Sequence, residues 1–170
     1  MFILISGTSG SGKSSHAEDR LQEFAGENKI YIATAKVYDP EMAERVERHK
    51  ARREGKGFIT IERSKNLGEL EIPKGSCVLI EALTTWLANE LFEGGNVDIY
   101  NNFQKLKAKA KHIILVTDYI FADGIIYDDA TENYIKKLAE LTIKFAAEAD
   151  EVIECFAGLI YNYQPVQKNE

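Results

Sequence analysis

Eight consecutive residues, Gly7-Thr8-Ser9-Gly10-Ser11-Gly12-Lys13-Ser14, fill the pattern G-x-x-x-x-G-K-[ST]. The glycines let the backbone curl until successive N–H groups converge on phosphate oxygens. Lys13 can reach the β and γ phosphates of a nucleotide, and the Ser14 hydroxyl can ligate Mg²⁺. An apolar run precedes the pattern and a helical one follows it, so a helix N-terminus adds its positive dipole end. The four fixed positions would coincide by chance in roughly one chain in a hundred of this length, before that context is demanded. Nucleotide binding is the reading that follows, ahead of a plain Gly/Ser turn.

Phosphate chemistry of this kind needs a second acid for the metal, at the end of another strand. Val78-Leu79-Ile80-Glu81 is an apolar run ending in a carboxylate. Asp118 ends the run His112–Thr117 in the same manner. Glu81 is preferred as the partner of Ser14 at the metal because Thr84 and Thr85 follow it at the start of a helix. A second cluster lies after Pro40, where Met42, Val46 and His49 fall at i, i+4 and i+7. His49 is flanked by Arg48, Lys50, Arg52 and Arg53, cations that would draw a triphosphate. A histidine on such a stripe is either a packed edge residue or a nucleophile towards phosphorus. Spacing alone leaves both open.

The elements that must carry these groups alternate. Strands are expected at Phe2–Ser6, Lys29–Thr34, Gly57–Glu62, Cys77–Glu81, His112–Thr117 and Glu151–Phe156. Helical patterns lie between most of them: Ala17, Leu21 and Phe24 recur on one stripe, and Asp39 with Pro40 suits a helix start. A long helix near Asp129–Ala149 presents Tyr134, Leu138, Leu141 and Phe145 on one face. This order predicts an α/β fold with a mainly parallel sheet covered by helices on both faces, three layers in all. Phe58–Glu62 is either an added strand or a hairpin arm. The run Lys105–Lys111 reads as the solvated face of a helix, and Tyr161–Glu170 as a loosely ordered tail.

The 170 residues, 45% of them hydrophobic, fit a single nucleotide-binding domain over residues 1–170. A net charge of −6 and a pI near 5.2 argue against a nucleic-acid or anionic-membrane binder, while leaving room for a local phosphate pocket. Apolar runs are too short for a membrane span, and Met1–Ile5 has no basic region before it, so it reads as a strand and not a signal peptide. Cys77 and Cys155 lie in apolar stretches, as reduced thiols of a cytoplasmic protein do.

Taken in order, the P-loop, Tyr31-Ile32-Ala33-Thr34-Ala35, Asp39-Pro40-Glu41-Met42, Arg48-His49-Lys50 and Glu81-Ala82-Leu83-Thr84-Thr85 resemble the bifunctional adenosylcobinamide kinase / adenosylcobinamide-phosphate guanylyltransferase family of cobalamin biosynthesis. The resemblance covers the first ninety or so residues and resumes at Ile113–Thr117 and Ala146–Val152. It implies a P-loop NTPase-like fold and a homo-oligomer, typically a trimer. It also implies a kinase step on adenosylcobinamide with ATP or GTP, and GMP transfer from GTP through a guanylylated histidine, with Mg²⁺ required. By that resemblance His49 is the histidine, with Lys13 as the other catalytic residue. Gly7 to Ser14, Ala33, Thr34, Ala35, Lys50, Ala51, Arg52, Arg53, Glu62 and Glu81 match nucleotide-contacting positions. The second half departs from the family. Asp118-Tyr119-Ile120-Phe121 stands for Asn-Glu-Val-Gly, the Pro-Glu-Asn-Arg segment is replaced around Tyr127-Asp128-Asp129-Ala130, and Thr142-Ile143 stands for Asn-Gln. These changes alter shape and charge where the corrinoid acceptor is expected. A P-loop nucleotide-binding protein or NTPase without corrinoid transfer is the alternative reading.

Overall fold

A computed structural model describes residues 1–26, 28–36, 40–95, 97–120 and 124–163, the side chains of Met42 and Arg45 excepted. The strands are β1 (Phe2–Gly7), β2 (Lys29–Ala33), β3 (Phe58–Glu62), β4 (Ser76–Glu81), β5 (Ala110–Asp118), β6 (Glu151–Phe156) and β7 (Leu159–Tyr163). The helices are α1 (Lys13–Glu23), α2 (Pro40–Arg53), α3 (Leu83–Phe92), α4 (Ile99–Lys109) and α5 (Asp129–Glu148). The strands form one sheet in the order β3-β2-β4-β5-β1-β6-β7. Every pairing is parallel except that of β6 with β7.

Alternation along the strands builds the three layers. Phe2 and Leu4 of β1 join Trp86, Phe103 and Phe145 on the face covered by α3, α4 and α5. Ile3 and Ile5 join Ala17 and Leu21 of α1 on the other face. The side chains of a parallel sheet buried on both faces are apolar throughout, which is why these strands read as continuous hydrophobic runs. In α5, Leu138 and Phe145 are buried, with Tyr134 and Leu141 packed beside them. Both cysteines are buried free thiols.

Two sequence expectations change. Phe58–Glu62 is not a hairpin arm: β3 is the parallel edge strand beside β2, reached by a crossover through α2. The expected loose tail begins too early, because Tyr161–Tyr163 pair antiparallel with β6. The hairpin turns at Ala157 and Gly158, both at positive φ (50° and 78°), the conformation of a tight strand-joining turn. Ala in place of Asn or Asp at its first position hides that turn from a sequence reading. Residues 164–170, the expected cap Asp39 and Phe121 lie outside the described residues.

The register places the chemistry at one edge. Gly7 is level with Asp118, and Ala33 is level with both Glu62 and Glu81. Each of these residues ends its strand, so five strand termini open onto the same carboxyl edge of the sheet, where ligands of open α/β sheets bind.

Candidate active site

The P-loop joins β1 to α1 in a curl that its glycines permit. Gly10 and Gly12 hold φ of 75° and 91°, a region L side chains rarely adopt. A Cβ on Gly7 would lie 2.6 Å from the Cys155 carbonyl oxygen and 2.5 Å from Ser11 Oγ. The helix begins at Lys13 without a side-chain cap, so its first amides remain available to an anion. Lys13 Nζ donates to the Thr8 carbonyl at 3.1 Å and pairs with Asp118 Oδ1 at 2.7 Å. Its side chain is only 5% exposed.

Glu81 and Asp118 occupy different places around this lysine. Ser14 Oγ donates to Glu81 Oε1 at 2.5 Å. The second oxygen, Glu81 Oε2, is enclosed and makes no hydrogen bond. Burial is the main influence on this carboxyl and raises its pKa above the ordinary 4.5, against the Ser14 hydrogen bond and the Lys13 charge, which lower it. Asp118 takes Lys13 on one oxygen and the Thr84 hydroxyl on the other, at 2.6 Å. Tyr134 Oη donates to the Thr84 carbonyl at 3.1 Å and so ties α5 to the same corner.

His49 lies on α2 at the wall between two spaces. A cleft of about 590 Å³ runs along Ser9, Gly10, Lys13 and Ser14 and is closed on the far side by Arg48, His49 and Arg52. A cavity of about 160 Å³ behind it is bounded by His49, Tyr31, Arg53, Glu81 and Asp118. Arg53 is buried, its guanidinium stacked 3.7 Å above the centre of the Tyr31 ring. Its Nε and Nη1 make no hydrogen bond, an arrangement that suits an anionic or carbonyl ligand.

The remaining expected site residues divide. Ala33 and Ala35 line the cavity, but the Thr34 side chain turns inward. Thr34 Oγ1 accepts from the Ala82 amide at 2.8 Å, and the Thr34 carbonyl accepts from Asn89 Nδ2 at 2.9 Å. Thr34 therefore latches β2 to the start of α3 and does not face the cleft. Lys50 meets Glu62 at 3.3 Å on the flank of α2 away from the P-loop. Ala51 is exposed and borders a separate surface groove with Glu54 and Gly55. Ser11 is buried with an unpartnered hydroxyl, and Thr8 contributes its carbonyl to Lys13.

With this geometry in place, comparison with known proteins decides the family. The model of the family described as cobinamide kinase / cobinamide phosphate guanyltransferase matches residues 3–163. The chain belongs to that family. The bifunctional adenosylcobalamin biosynthesis protein CobU of Escherichia coli K12 is 32% identical over 180 aligned positions, covering 94% of this chain and 97% of the relative. The protein of the same name from Salmonella typhimurium LT2 is 30% identical with the same coverage. The bifunctional adenosylcobalamin biosynthesis protein CobP of Pseudomonas aeruginosa PAO1 is 32% identical over 149 positions, 86% of this chain and 81% of the relative. Membership brings the enzyme class with it: cobinamide kinase and cobinamide phosphate guanylyltransferase, acting through P-loop nucleotide binding.

Several residues of this corner escaped the sequence reading. Tyr31 stands out in the sequence only as part of the Tyr31–Ala35 motif, although strand alternation from buried Ile30 and Ile32 sets it on the α1 side, under Arg53. Asp118 was weighed for the metal, and no local signal announces its pairing with Lys13. Glu18, wholly buried on α1, stands among the apolar positions Ala17 and Leu21 and carried no motif.

Proposed function

We propose that this chain phosphorylates adenosylcobinamide with ATP or GTP, and transfers GMP from GTP to the resulting phosphate through His49. The observation that carries the reading is the position of His49 on a wall common to the P-loop cleft and to the Glu81–Asp118 cavity. In the kinase step, the P-loop amides and Lys13 hold the triphosphate while the acceptor hydroxyl attacks the γ-phosphorus in line. In guanylyl transfer, an imidazole nitrogen of His49 bonds to the α-phosphorus of GTP and the bond to pyrophosphate breaks. A phosphate oxygen of the acceptor then displaces the imidazole and takes the GMP. Arg48 and Arg52, on the His49 side of the cleft, supply charge to the phosphates in guanylyl transfer.

The residues present fit Mg²⁺. Ser14 Oγ and an enclosed, unpartnered oxygen of Glu81 offer hard oxygen ligands at the P-loop. Bound there, the ion would neutralise charge developing on the phosphates. The site proposal therefore keeps Ser14 and Glu81 for the metal and gives Asp118 to Lys13. Arg53 over Tyr31, with Ala33, Ala35, Lys50 and Glu62 nearby, forms the expected nucleoside side of the site. Ala51 and the Thr34 side chain point elsewhere and are best read as supporting residues.

A homo-oligomer, a trimer by family resemblance, is also proposed, supported by the exposed apolar residues of β7. A cytoplasmic location is consistent with the absence of any helix, among the described residues, long and apolar enough to cross a membrane. Incubation with α-labelled GTP followed by denaturing electrophoresis tests the histidine step. One acid-labile, base-stable GMP per chain is expected, and His49→Ala should lose it while kinase turnover on adenosylcobinamide persists. An adduct that survives His49→Ala but disappears with His16→Ala would assign the chemistry to His16, on the P-loop helix α1. Kinase turnover without any adduct would leave only the phosphoryl transfer.

A further inference from the structure

Among the described residues, no side chain of α2 belongs to either apolar cluster of the core. Ion pairs between α1 and this part of the fold gather at the C-terminal end of α2 and just beyond it. Glu18, four residues after Ser14 on α1, is 0% exposed. Lys56 Nζ donates to Glu18 Oε2 at 2.9 Å, and Arg52 Nη2 stands 3.6 Å from Glu18 Oε1. Lys56 also lies 3.5 Å from Asp19 Oδ1, and its carbonyl accepts from Gln22 Nε2 at 2.5 Å. Three residues on two adjacent turns of the P-loop helix, Glu18, Asp19 and Gln22, thus grip the segment that leaves α2.

A fully buried carboxylate is strongly disfavoured unless it is paired. Glu18 stands beside the apolar positions Ala17 and Leu21 and touches neither Lys13 nor Ser14 by hydrogen bond. Its cations come from the end of α2, and Arg52 is one helical turn beyond His49. We infer that Glu18 is a positioning residue for guanylyl transfer: it clamps the end of α2 to the P-loop helix and thereby sets His49 against the cleft. The inference rests on the reading of His49 as nucleophile. In-line attack by a side chain tolerates little misplacement, and about 1 Å can cost about 10²-fold in rate. The γ-phosphate reaction takes its contacts from the P-loop and from Glu81, and none of these residues lies on α2.

The test compares wild type, Glu18→Ala, Lys56→Ala and the double variant. The single-turnover rate of adduct formation from α-labelled GTP is read beside kinase turnover on adenosylcobinamide. Adduct formation should slow about tenfold or more in each single variant, and no further in the double, because both substitutions open the same clamp. Kinase turnover should stay within about twofold of wild type. An equal loss of both activities would make Glu18 merely structural and overturn the inference. So would unchanged adduct formation, or single effects that multiply in the double variant. If Glu18→Ala does not fold, Lys56→Ala decides the matter, since the Lys56 side chain is 31% exposed and its removal leaves the core intact. A wild type that forms no adduct would overturn the His49 reading and this inference with it. An adduct in wild type that neither variant slows would overturn this inference alone.

Discussion

Glu81 carries opposite demands at the level of a single residue. Its carboxyl is enclosed beside Ser14, and burial raises its pKa above 4.5. Between the ordinary and the raised value the folded chain binds more protons than the unfolded chain, so this group's contribution to stability falls as pH rises through that window. Glu81→Gln keeps size and the acceptor for Ser14 but removes the buried charge. The nucleotide-free variant should therefore melt about 2–4 °C above wild type at pH 8, equivalent to about 1 kcal/mol in a domain of this size. The difference should shrink as pH approaches 4.5, and kinase turnover with Mg²⁺ should fall about 10²-fold. Calorimetry across pH, with an activity assay, checks both signs; a lower melting temperature at pH 8 would show that the charge stabilises the free protein. The sequence offers Glu81 and Asp118 as two strand-end acids and favours Glu81 for the metal only through the Thr84-Thr85 that follows it. What separates them is which strand lies beside the P-loop strand: β5 flanks β1 and brings Asp118 to Lys13, while β4 lies one strand further and brings Glu81 to Ser14. Strand order is a long-range property that no local pattern encodes.

At the scale of elements, the buried strands and the amphipathic helices were legible because their patterns are local. The direction of β3 was not, because it depends on the α2 crossover returning to the same end of the sheet, and a five-residue strand carries no sign of that. The start of α5 is legible near Asp129, but the cap that sets it is not named by the sequence pattern. Asp128 accepts from the Thr131 amide at 2.8 Å and opens α5, and the backbone hydrogen bond from Thr131 holds its carboxyl below the usual 3.8. A depressed carboxylate pKa contributes stability above the ordinary value, and that contribution is lost as pH falls through the lowered one. Asp128→Ala should therefore lower the melting temperature at pH 7 and make little difference near pH 2, as thermal scans at the two pH values would show. Asp128 also lies in the segment that departs from the family, so its role in α5 accounts for this residue without recourse to the acceptor.

For the molecule as a whole, the sheet has two edges, the parallel strand β3 and the antiparallel strand β7. β7 is exposed along its whole length, with Leu159 58%, Ile160 53% and Tyr161 48% accessible, and Phe156 of β6 58% accessible beside the turn. An apolar edge strand with free backbone groups is a template for pairing, and soluble proteins cover or charge such edges. Coverage by further copies of the chain agrees with the proposed trimer. Charge introduced at the middle of this surface should then act on assembly before it acts on the fold, because Leu159 lies outside both apolar clusters. Leu159→Lys is expected to shift the mass measured by light scattering from three chains to one at micromolar concentration, with far-ultraviolet circular dichroism unchanged. Gly7 to Ser14 and Asp118, the partner of Lys13, belong to the same chain as the cleft beside them, so each dissociated chain should retain its binding of ATP. A wild type that runs as a monomer would reject the trimer. A trimer that persists in Leu159→Lys would move the interface away from β7. Loss of ATP binding on dissociation would show that a neighbouring chain completes the site.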